Sequence, residues 1–600
     1  MTWMYPAYDQ VEMNAKASQS KYALFEYREA GQIRPARAEL PVLFVPGNAG
    51  SYKQARSLGA VADAWASSEF ALRVYTIDTG DELAAFDALL LEEQAVFVNQ
   101  AISVILQRHR SVSSIVLVAH SMGGKVAQLL FTLPNYVNAS VSNIITLASP
   151  QTHPPIAIEL SMVHLYETVN RIWASRFTDN VVSSDFRNLM VVSIAGGDRD
   201  AMIPSAFAEI DSFIPKSHGF SSYSTSIPDV WVSADHRCIL WCNQLVHVLV
   251  KGLYNLFETD SDGSVAVLPL EQRVAFWKNL LQPSLKADSL SVKGSGTALN
   301  LPKSRVSFKN HLTKQFFLTS LSNPGTSEYH ILHTSPKFIT KAFAREAKFE
   351  IYACASPTII TVKDLKTSVC HSIRYSTRRI AEKFPDRTDG VVDAVVEILD
   401  FNGRDLSRYN ISTIVVHILD ISGNGEIGVE VQDISDNKDD RDGHIVVSGY
   451  NFRDVIFDKF FSIPITSIST ILELSDIKDS MLVYDMRLRN EVSCTYRIGQ
   501  PLIHVSITGT SESKILFPWP KDSYPIRFHK DANAGLLFNI FVSLKDLSNC
   551  PSQKYMMQLH VNWLATAANI IRRAFSLILV FVGAISTSVF LDSAIFDSEL

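Results

Sequence analysis

The sequence is poor in cysteine. Six cysteines are spread over 600 residues, and no C-x-x-C pair occurs among them. Zinc sites favour closely spaced cysteines, so we expect no metal site, and nothing else in the sequence predicts a cofactor. One to three disulfides are open to a chain in an oxidising compartment, but the sequence does not assign their pairing.

The sequence also lacks a strong charge of either sign. Lysine and arginine number 55 and aspartate and glutamate 61, which gives a net charge of -6. Because nucleic-acid-binding proteins carry basic faces, we expect no nucleic-acid partner. An apolar stretch is missing at the amino terminus, where MTWMYPAYDQ shows no signal peptide.

Apolar residues, in contrast, are plentiful. They make up 47% of the chain, enough for most of it to fold, and 600 residues predict two or three domains. An unbroken uncharged run covers residues 574–591, about the minimum length for one spanning helix. Arg572 and Arg573 precede this run, and we predict a transmembrane helix there. The alternative is a buried core helix or hairpin.

Residues 39–258 alternate between strand-like and helix-like segments. Short apolar runs predict strands at 39–47, 71–80, 113–121, 141–150 and 188–197. Longer periodic segments predict helices at 91–109, 122–133 and 236–257. This alternation is typical of a mostly parallel sheet with helices on both faces, so we expect an α/β domain over residues 1–258.

The composition changes near residue 258. Residues 281–305 are rich in Ser, Lys, Pro and Gly, and we interpret 259–305 as a linker. Short alternating runs separated by turn residues follow, which predicts one or two β-sandwich domains over 306–560. The expected order is therefore an α/β domain, a linker, a β-sandwich region and a transmembrane helix.

The strongest local motif is AHSMGG at residues 119–124, placed between an apolar strand and an apolar helix. A serine in this context indicates a nucleophile elbow, a sharp turn that holds the hydroxyl clear of the backbone. The usual motif begins with glycine, and Ala119 replaces it here. We interpret Ser121 as the nucleophile of an α/β-hydrolase.

A nucleophilic serine needs a histidine base and an acid to orient it, and in this fold both follow the serine in the chain. Asp198 and Asp200 come just after the 188–197 strand, and the spacing alone does not choose between them. His236 stands at a loop–helix junction, which favours it as the base, and Asp235 is interpreted as a helix cap. Four other histidines are weaker candidates: His153, His164, His218 and His247. His120, beside the serine, is expected to point away.

An oxyanion hole is the third requirement, because the tetrahedral intermediate needs donors already in place. One donor is expected from the N–H of Met122, just after the nucleophile. The other is expected from Asn48 or Ala49 in the glycine-rich loop at residues 45–51. An ordinary tight turn is the alternative for that loop.

These segments together resemble the GPI inositol-deacylase family. The similarity rests on PVLFVPGNAGSYKQARSLG, IDTGDELAAFDALLLEEQAVFVNQAI, LVAHSMGGKVAQLL, AGGDRDAMIPS and SADHRCILWCNQL, in the family's order and spacing over about residues 1–258. The resemblance implies an endoplasmic-reticulum membrane enzyme with a lumenal catalytic domain. Its substrates would be GPI-anchored proteins, from whose inositol it removes an acyl chain at the membrane lipid. It also implies Ser121 as nucleophile, Asp200 as acid and His236 as base.

The resemblance leaves several points open. Family members carry a membrane helix before the segment that resembles MTWMYPAY and several more at the end, so we expect this chain to be a truncated form. A broader lipase or acyl-protein thioesterase would use the same three residues. A catalytically silent factor that binds GPI-anchored proteins is the alternative from another class. Met162, Leu165 and Trp173 are expected either to line an acyl-chain groove or to pack as an ordinary cap helix.

Overall fold

The computed structural model describes most of residues 4–282 and a discontinuous set of segments after them. The described residues are 4–13, 20–31, 35–155, 159–177, 182–259, 265–282, 297–298, 306–311, 315–321, 327–334, 338–354, 369–373, 378–381, 395–402, 412–433, 444–479, 481–491, 501–507, 512–516, 523–528, 535–549, 554–568, 570–571, 582 and 585–588.

The first part of the chain forms an eight-stranded sheet. Its strands are β1 (Pro6–Val11), β2 (Ala23–Glu29), β3 (Ala38–Val45), β4 (Phe70–Asp78), β5 (Ile115–His120), β6 (Val141–Leu147), β7 (Met190–Ala195) and β8 (Gly219–Tyr223). They lie in the order β1-β2-β4-β3-β5-β6-β7-β8. The β1–β2 and β2–β4 pairs are antiparallel, and every later pair is parallel. This is the sheet of an α/β-hydrolase, as the sequence predicts.

Helices cover both faces of this sheet. They are α1 (Arg56–Trp65), α2 (Ala88–Arg108), α3 (Gly123–Leu129), α4 (Leu160–Ser175), α5 (Asn243–Tyr254) and α6 (Leu270–Leu281). One apolar cluster joins α2, α3 and α4 to one face, and another joins α1, α5 and α6 to the other. Adjacent residues of β3 supply opposite clusters, since Leu43 and Val45 belong to the first and Val42 and Phe44 to the second. The two-residue period of a strand therefore gives a core on each face.

Two predicted boundaries differ from the structure. The helix predicted at 236–257 begins only at Asn243, after a short 3-10 turn at Cys238–Leu240. The hydrolase domain also continues beyond residue 258, because α6 buries Trp277 and Leu281 in the core. Arg273 on α6 is buried and donates to the carbonyl oxygen of Ser142 on β6 at 2.9 Å. Polar composition around 258–264 marks a connection within the domain, where β9 (Phe257–Thr259) pairs with β10 (Val265–Val267).

A β-rich region follows. A nine-stranded sheet contains β11 (Thr297–Ala298), β12 (Val306–Asn310), β13 (Gln315–Leu318), β14 (Ser327–His333), β15 (Phe338–Cys354), β16 (Val369–Ser372), β17 (Arg378–Ala381), β18 (Val395–Asn402) and β19 (Thr413–Asp433). Its central pair is the antiparallel β15–β19 ladder. A disulfide joins Cys354 to Cys370, which are partners in the β15–β16 pair.

The last two sheets form what we name the two-sheet unit, residues 444–561. One sheet has five strands: β20 (His444–Val447), β22 (Ser469–Leu474), β24 (Leu502–Ile507), β25 (Ser513–Leu516) and β27 (Leu536–Phe541). The other has four: β21 (Phe461–Pro464), β23 (Val483–Asn490), β26 (Ser523–Arg527) and β28 (Lys554–Val561). Two short helices accompany them, α7 (Phe452–Ile456) and α8 (Leu544–Asn549). The two sheets share one hydrophobic cluster, so they fold around a common core.

The predicted transmembrane segment, residues 574–591, lies almost wholly outside the described residues. Within the described part of the chain, only α2 is long and apolar enough to cross a membrane. More than half of its most apolar window, 56%, is buried inside the hydrolase domain. The helix α2 is therefore a core helix of that domain.

Candidate active site

Ser121 lies in the turn between β5 and α3, with a φ of 52°. Non-glycine residues rarely adopt this left-handed conformation, and it is the strained geometry of a nucleophile elbow. Small neighbours make the turn feasible. A Cβ at Gly47 would lie 2.4 Å from the Ser121 Cβ, and a Cβ at Gly123 would lie 2.4 Å from the Val45 carbonyl oxygen. The glycines are therefore required by the close approach of the β3 loop to the elbow.

The three residues predicted as a triad come together at the carboxyl edge of the sheet. The Ser121 Oγ lies 3.0 Å from the His236 Nε2. The His236 Nδ1 lies 3.1 Å from the Asp200 Oδ2. All three side chains are buried, with between 1% and 8% of each residue exposed. This arrangement can transfer a proton from the serine hydroxyl to the imidazole while the carboxylate orients the ring.

Asp200, and not Asp198, faces His236. The Asp200 Oδ1 accepts hydrogen bonds from the backbone N–H groups of Met202 at 3.0 Å and Ile203 at 2.9 Å. These bonds fix the carboxylate and leave Oδ2 for the histidine. Asp198 lies at the junction with the two-sheet unit, where its carbonyl accepts from Arg527.

The loop that carries His236 is held at both ends. The Asp235 Oδ1 accepts from the N–H groups of Arg237 at 3.0 Å and Cys238 at 2.8 Å, so Asp235 caps the short 3-10 turn and not α5. On the other side, His120 Nε2 donates to the His236 carbonyl oxygen at 2.8 Å. Burial, together with the neighbouring His236, lowers the pKa of His120 to about 3, so this ring is neutral.

The expected oxyanion donors differ in whether their backbone N–H groups already have an acceptor within the protein. The Ala49 N–H already donates to the Glu82 carbonyl at 2.8 Å, and the Asn48 Oδ1 accepts from the Ala85 N–H at 2.8 Å. In the described part of the chain, neither the Asn48 N–H nor the Met122 N–H has a protein acceptor. Of the three expected donors, the Ala49 N–H is therefore the one already engaged.

The sequence reasoning missed Lys125, which follows the nucleophile by one helical turn on α3. Its Nζ donates to Gln151 O at 2.9 Å and to Asn170 Oδ1 at 3.0 Å, and it lies 4.1 Å from the centre of the Tyr166 ring. Burial lowers the pKa of Lys125 well below its ordinary value. Lys125 therefore ties α3 to α4 and to the loop after β6. In the sequence, the sign of this role was a single lysine in the otherwise uncharged helical segment 122–133.

The residues expected near an acyl chain are packed in the core. Trp173 is fully buried, its ring packs against Phe131 and Phe186, and its Nε1 donates to the Gln128 carbonyl at 3.0 Å. Met162 and Leu165 belong to the same cluster. Of the two expectations for this segment, ordinary helix packing describes Trp173.

The weaker histidine candidates lie in other environments. The ring of His153 lies tilted beside Phe207, and that of His218 meets Phe177 edge to face. His247 is on α5, while His164 is exposed on α4. None of the four has a described contact with Ser121.

Comparison with known proteins gives a family match in the same region. Residues 37–256 match the model of a family described as the PGAP1-like alpha/beta domain. The matched range begins one residue before β3 and ends after α5, so it contains Ser121, Asp200 and His236.

Curated relatives extend this match. GPI inositol-deacylase from Kluyveromyces lactis is 30% identical over an alignment of 445 residues, gaps included, that covers 68% of this chain and 45% of that protein. The Neurospora crassa protein of the same name is 32% identical over 56% of this chain and 29% of its own length. The Phaeosphaeria nodorum protein is 35% identical over 46% of this chain and 28% of its own length. The chain spans less than half the length of these curated relatives. The resemblance to GPI inositol-deacylases is confirmed.

Solved structures give only distant matches. A CIB-like hydrolase from Thermoplasma acidophilum has a TM-score of 0.26 and 15% identity, and covers 42% of this chain and 100% of its own. Lipase B from Aspergillus fumigatus has a TM-score of 0.27 and 15% identity, and covers 41% of this chain and 58% of its own. Likenesses of this size add nothing to the argument from the sheet order and the site.

Proposed function

We propose that the chain hydrolyses the acyl ester on the inositol of GPI-anchored proteins, with Ser121 as nucleophile, His236 as base and Asp200 as acid. The observation that carries the chemical part is the chain of contacts from Ser121 Oγ to His236 to Asp200, at 3.0 and 3.1 Å. The choice of substrate rests on the curated relatives, which are named GPI inositol-deacylases.

The proposed reaction has two steps. Ser121 Oγ attacks the ester carbonyl while His236 Nε2 takes the hydroxyl proton, and the N–H groups of Met122 and Asn48 stabilise the oxyanion. The inositol hydroxyl leaves with the proton that His236 returns, and an acyl-serine remains. Water then attacks this ester by the same route, which releases a fatty acid and regenerates Ser121.

The proposed setting is the membrane of the endoplasmic reticulum, with the hydrolase domain in the lumen, a β-sandwich region after it and a transmembrane helix at 574–591. The Cys354–Cys370 disulfide supports an oxidising compartment, because such bonds are rare in the cytosol. Membrane lipid and GPI-anchored proteins are the proposed partners. Among the described residues no cluster suited to a metal ion occurs, and the proposed reaction uses none.

Labelling with a fluorophosphonate tests the hydrolase part of the proposal. The folded wild-type chain should be labelled at Ser121, and Ser121→Ala should abolish labelling. Ser113→Ala is the matched control, since Ser113 is exposed and lies in the loop before β5. A wild-type chain that never reacts, or one whose label survives in Ser121→Ala, contradicts the proposed nucleophile.

Cells that carry only the Ser121→Ala form test the substrate. An acyl group on the inositol blocks the ring hydroxyl that phosphatidylinositol-specific phospholipase C uses. The variant cells should therefore show GPI-anchored proteins that resist release by this phospholipase, while Ser113→Ala cells should not. Labelling of Ser121 without any gain of resistance in the variant cells would instead favour a broader lipase or thioesterase.

A further inference from the structure

The loop that carries Asp200 and the loop that carries His236 are bonded to each other. We name residues 196–200 the acid loop and residues 231–236 the histidine loop. The Ala234 N–H donates to the Gly196 carbonyl at 2.7 Å, and the Arg199 N–H donates to the Ser233 Oγ at 2.7 Å. A displacement of either loop therefore moves the other, and with it the distance between Asp200 and His236.

The two-sheet unit contacts the hydrolase domain at and beside the acid loop. Arg527, at the end of β26, donates from Nη1 to the Asp198 carbonyl at 3.3 Å. Thr225, just after β8, donates from Oγ1 to the Ser513 carbonyl at 3.2 Å. A cavity at this junction is lined by Gly197, Asp198 and Thr225 from the hydrolase domain and by Val505, Ser513 and Arg527 from the two-sheet unit.

Trp231 anchors the histidine loop in the two-sheet unit. Its side chain is 6% exposed and belongs to the hydrophobic cluster of that unit, which also includes Phe343, Val396 and Ile398 of the nine-stranded sheet, and not to either cluster of the hydrolase sheet. Its φ is 46°, a conformation that a bulky side chain adopts only when its surroundings hold it there. Burial of the indole in the core of the two-sheet unit supplies that constraint, five residues before His236.

We infer that the two-sheet unit positions the proposed catalytic pair, with Trp231 and Arg527 as positioning residues. Trp231 fixes the histidine loop and Arg527 fixes the acid loop, and their mutual hydrogen bonds keep Asp200 against His236. The inference rests on the proposed function and adds a role for a region that lies outside the hydrolase fold. A misplacement of about 1 Å in a catalytic group costs on the order of 10²-fold in rate.

The test uses the full chain with Trp231→Ala, Trp231→Phe and Arg527→Ala. The kcat and KM for a soluble short-chain p-nitrophenyl ester are measured per active site, with the active sites counted by fluorophosphonate labelling. We expect Trp231→Ala and Arg527→Ala to lower kcat by about 10- to 100-fold with KM changed less than twofold. Trp231→Phe should restore most of kcat, because an aromatic ring refills the core of the two-sheet unit.

The controls are Trp65→Ala and Arg487→Ala. Trp65 is half-exposed at the end of α1, and Arg487 is exposed on β23, in the same four-stranded sheet as Arg527. If Trp231 and Arg527 only stabilise the fold, their alanine variants will have fewer labelled sites but an unchanged kcat per labelled site. That result for both Trp231→Ala and Arg527→Ala overturns the inference. If Trp231→Ala does not fold, Arg527→Ala alone decides it. A wild-type chain with no labelled serine refutes the proposed function, and the inference then falls with it.

Discussion

Asp198 and Asp200 are two residues apart but occupy different surroundings. Asp200 is 1% exposed and accepts two backbone N–H groups besides its contact with His236, whereas Asp198 is half-buried at the edge of the hydrolase domain. We predict that Asp200→Asn lowers kcat by about 10⁴, the loss known for the best-studied serine protease triad, because the amide stabilises the wrong tautomer of His236. Asp198→Asn should stay within about threefold, since the substitution leaves in place the backbone carbonyl that accepts from Arg527. Ester turnover by the two purified variants decides the assignment, and the opposite order would make Asp198 the acid.

His120 should make the chain less stable in acid. Burial and the neighbouring His236 hold its pKa at about 3 in the folded chain, against 6.5 in the unfolded one. Between these values the unfolded chain binds a proton at His120 that the folded chain does not, so stability falls as the pH falls. The loss amounts to about 2 kcal/mol at pH 5 relative to pH 8.

The His120→Asn variant measures this effect. Urea unfolding at pH 8 and at pH 5 should show a smaller acid-induced loss in the variant than in the wild type. His164→Asn, exposed on α4, is the control and should keep the wild-type difference. An unchanged difference in His120→Asn would mean that other groups cause the acid loss.

At the scale of elements, α3 depends on a lysine side chain that the core surrounds. Lys125 donates to α4 and to the loop after β6, and its removal leaves the Gln151 carbonyl and the Asn170 side chain without those donors. Unpaired buried groups cost about 1–3 kcal/mol each, so we predict that Lys125→Met destabilises the hydrolase domain by about 2–4 kcal/mol. Urea unfolding followed by tryptophan fluorescence measures the change.

Lys53→Met provides the matched control for Lys125→Met. Lys53 is exposed on the short helix after the oxyanion loop, so the same substitution there should change stability by less than about 0.5 kcal/mol. Equal effects at the two positions would show that the bonds of Lys125 do not hold α3 and α4 together.

Strands β1, β2 and β8 were not predicted, because their sequences, PAYDQV, ALFEYRE and GFSSY, mix apolar with polar residues. Strands β3 to β7 were predictable because each is a largely apolar run, as in β5 and β7, where every residue is buried. The start of α5 was not, because the apolar segment from residue 236 continues through the 3-10 turn at Cys238–Leu240 without a change of pattern. The helix α6 was missed for the opposite reason. Its buried face includes Arg273 and Trp277, and Arg273 donates to backbone carbonyls in the core. In the sequence, an arginine within a polar stretch does not indicate such burial.

At the scale of the molecule, contacts between the hydrolase domain and the two-sheet unit could not be predicted from the sequence. Ser121 and His236 could be paired because a strand-to-helix turn and a loop–helix junction each carry a local motif. The bond from Arg527 to Asp198 joins residues 329 positions apart. Asp198 stands in the segment AGGDRDAMIPS, but nothing in that segment points to a distant arginine. Trp231 likewise looks in the sequence like an ordinary core residue of the hydrolase domain, although it belongs to the cluster of the β-rich region.

The nine-stranded sheet should be separable from the proposed active site, in contrast to the two-sheet unit. Its Cys354–Cys370 disulfide closes a 16-residue separation, and neither apolar cluster of the hydrolase domain includes a residue of this sheet. Among the described residues it contributes three members, Phe343, Val396 and Ile398, to the cluster that holds Trp231, whereas the two-sheet unit contributes most of that cluster. A loop of about 15 residues contributes roughly 3 kcal/mol when it is cross-linked. We predict that the double change Cys354→Ser and Cys370→Ser lowers the urea midpoint of the β-rich region, while the rate of Ser121 labelling stays within about twofold.

Reductant should lower that midpoint in the wild type and leave the double variant unchanged, because only the wild type has the bond to lose. Labelling that slows in step with the midpoint would instead show that the nine-stranded sheet, through the cluster it shares at Phe343 and Val396 with the two-sheet unit, also holds the catalytic loops in place.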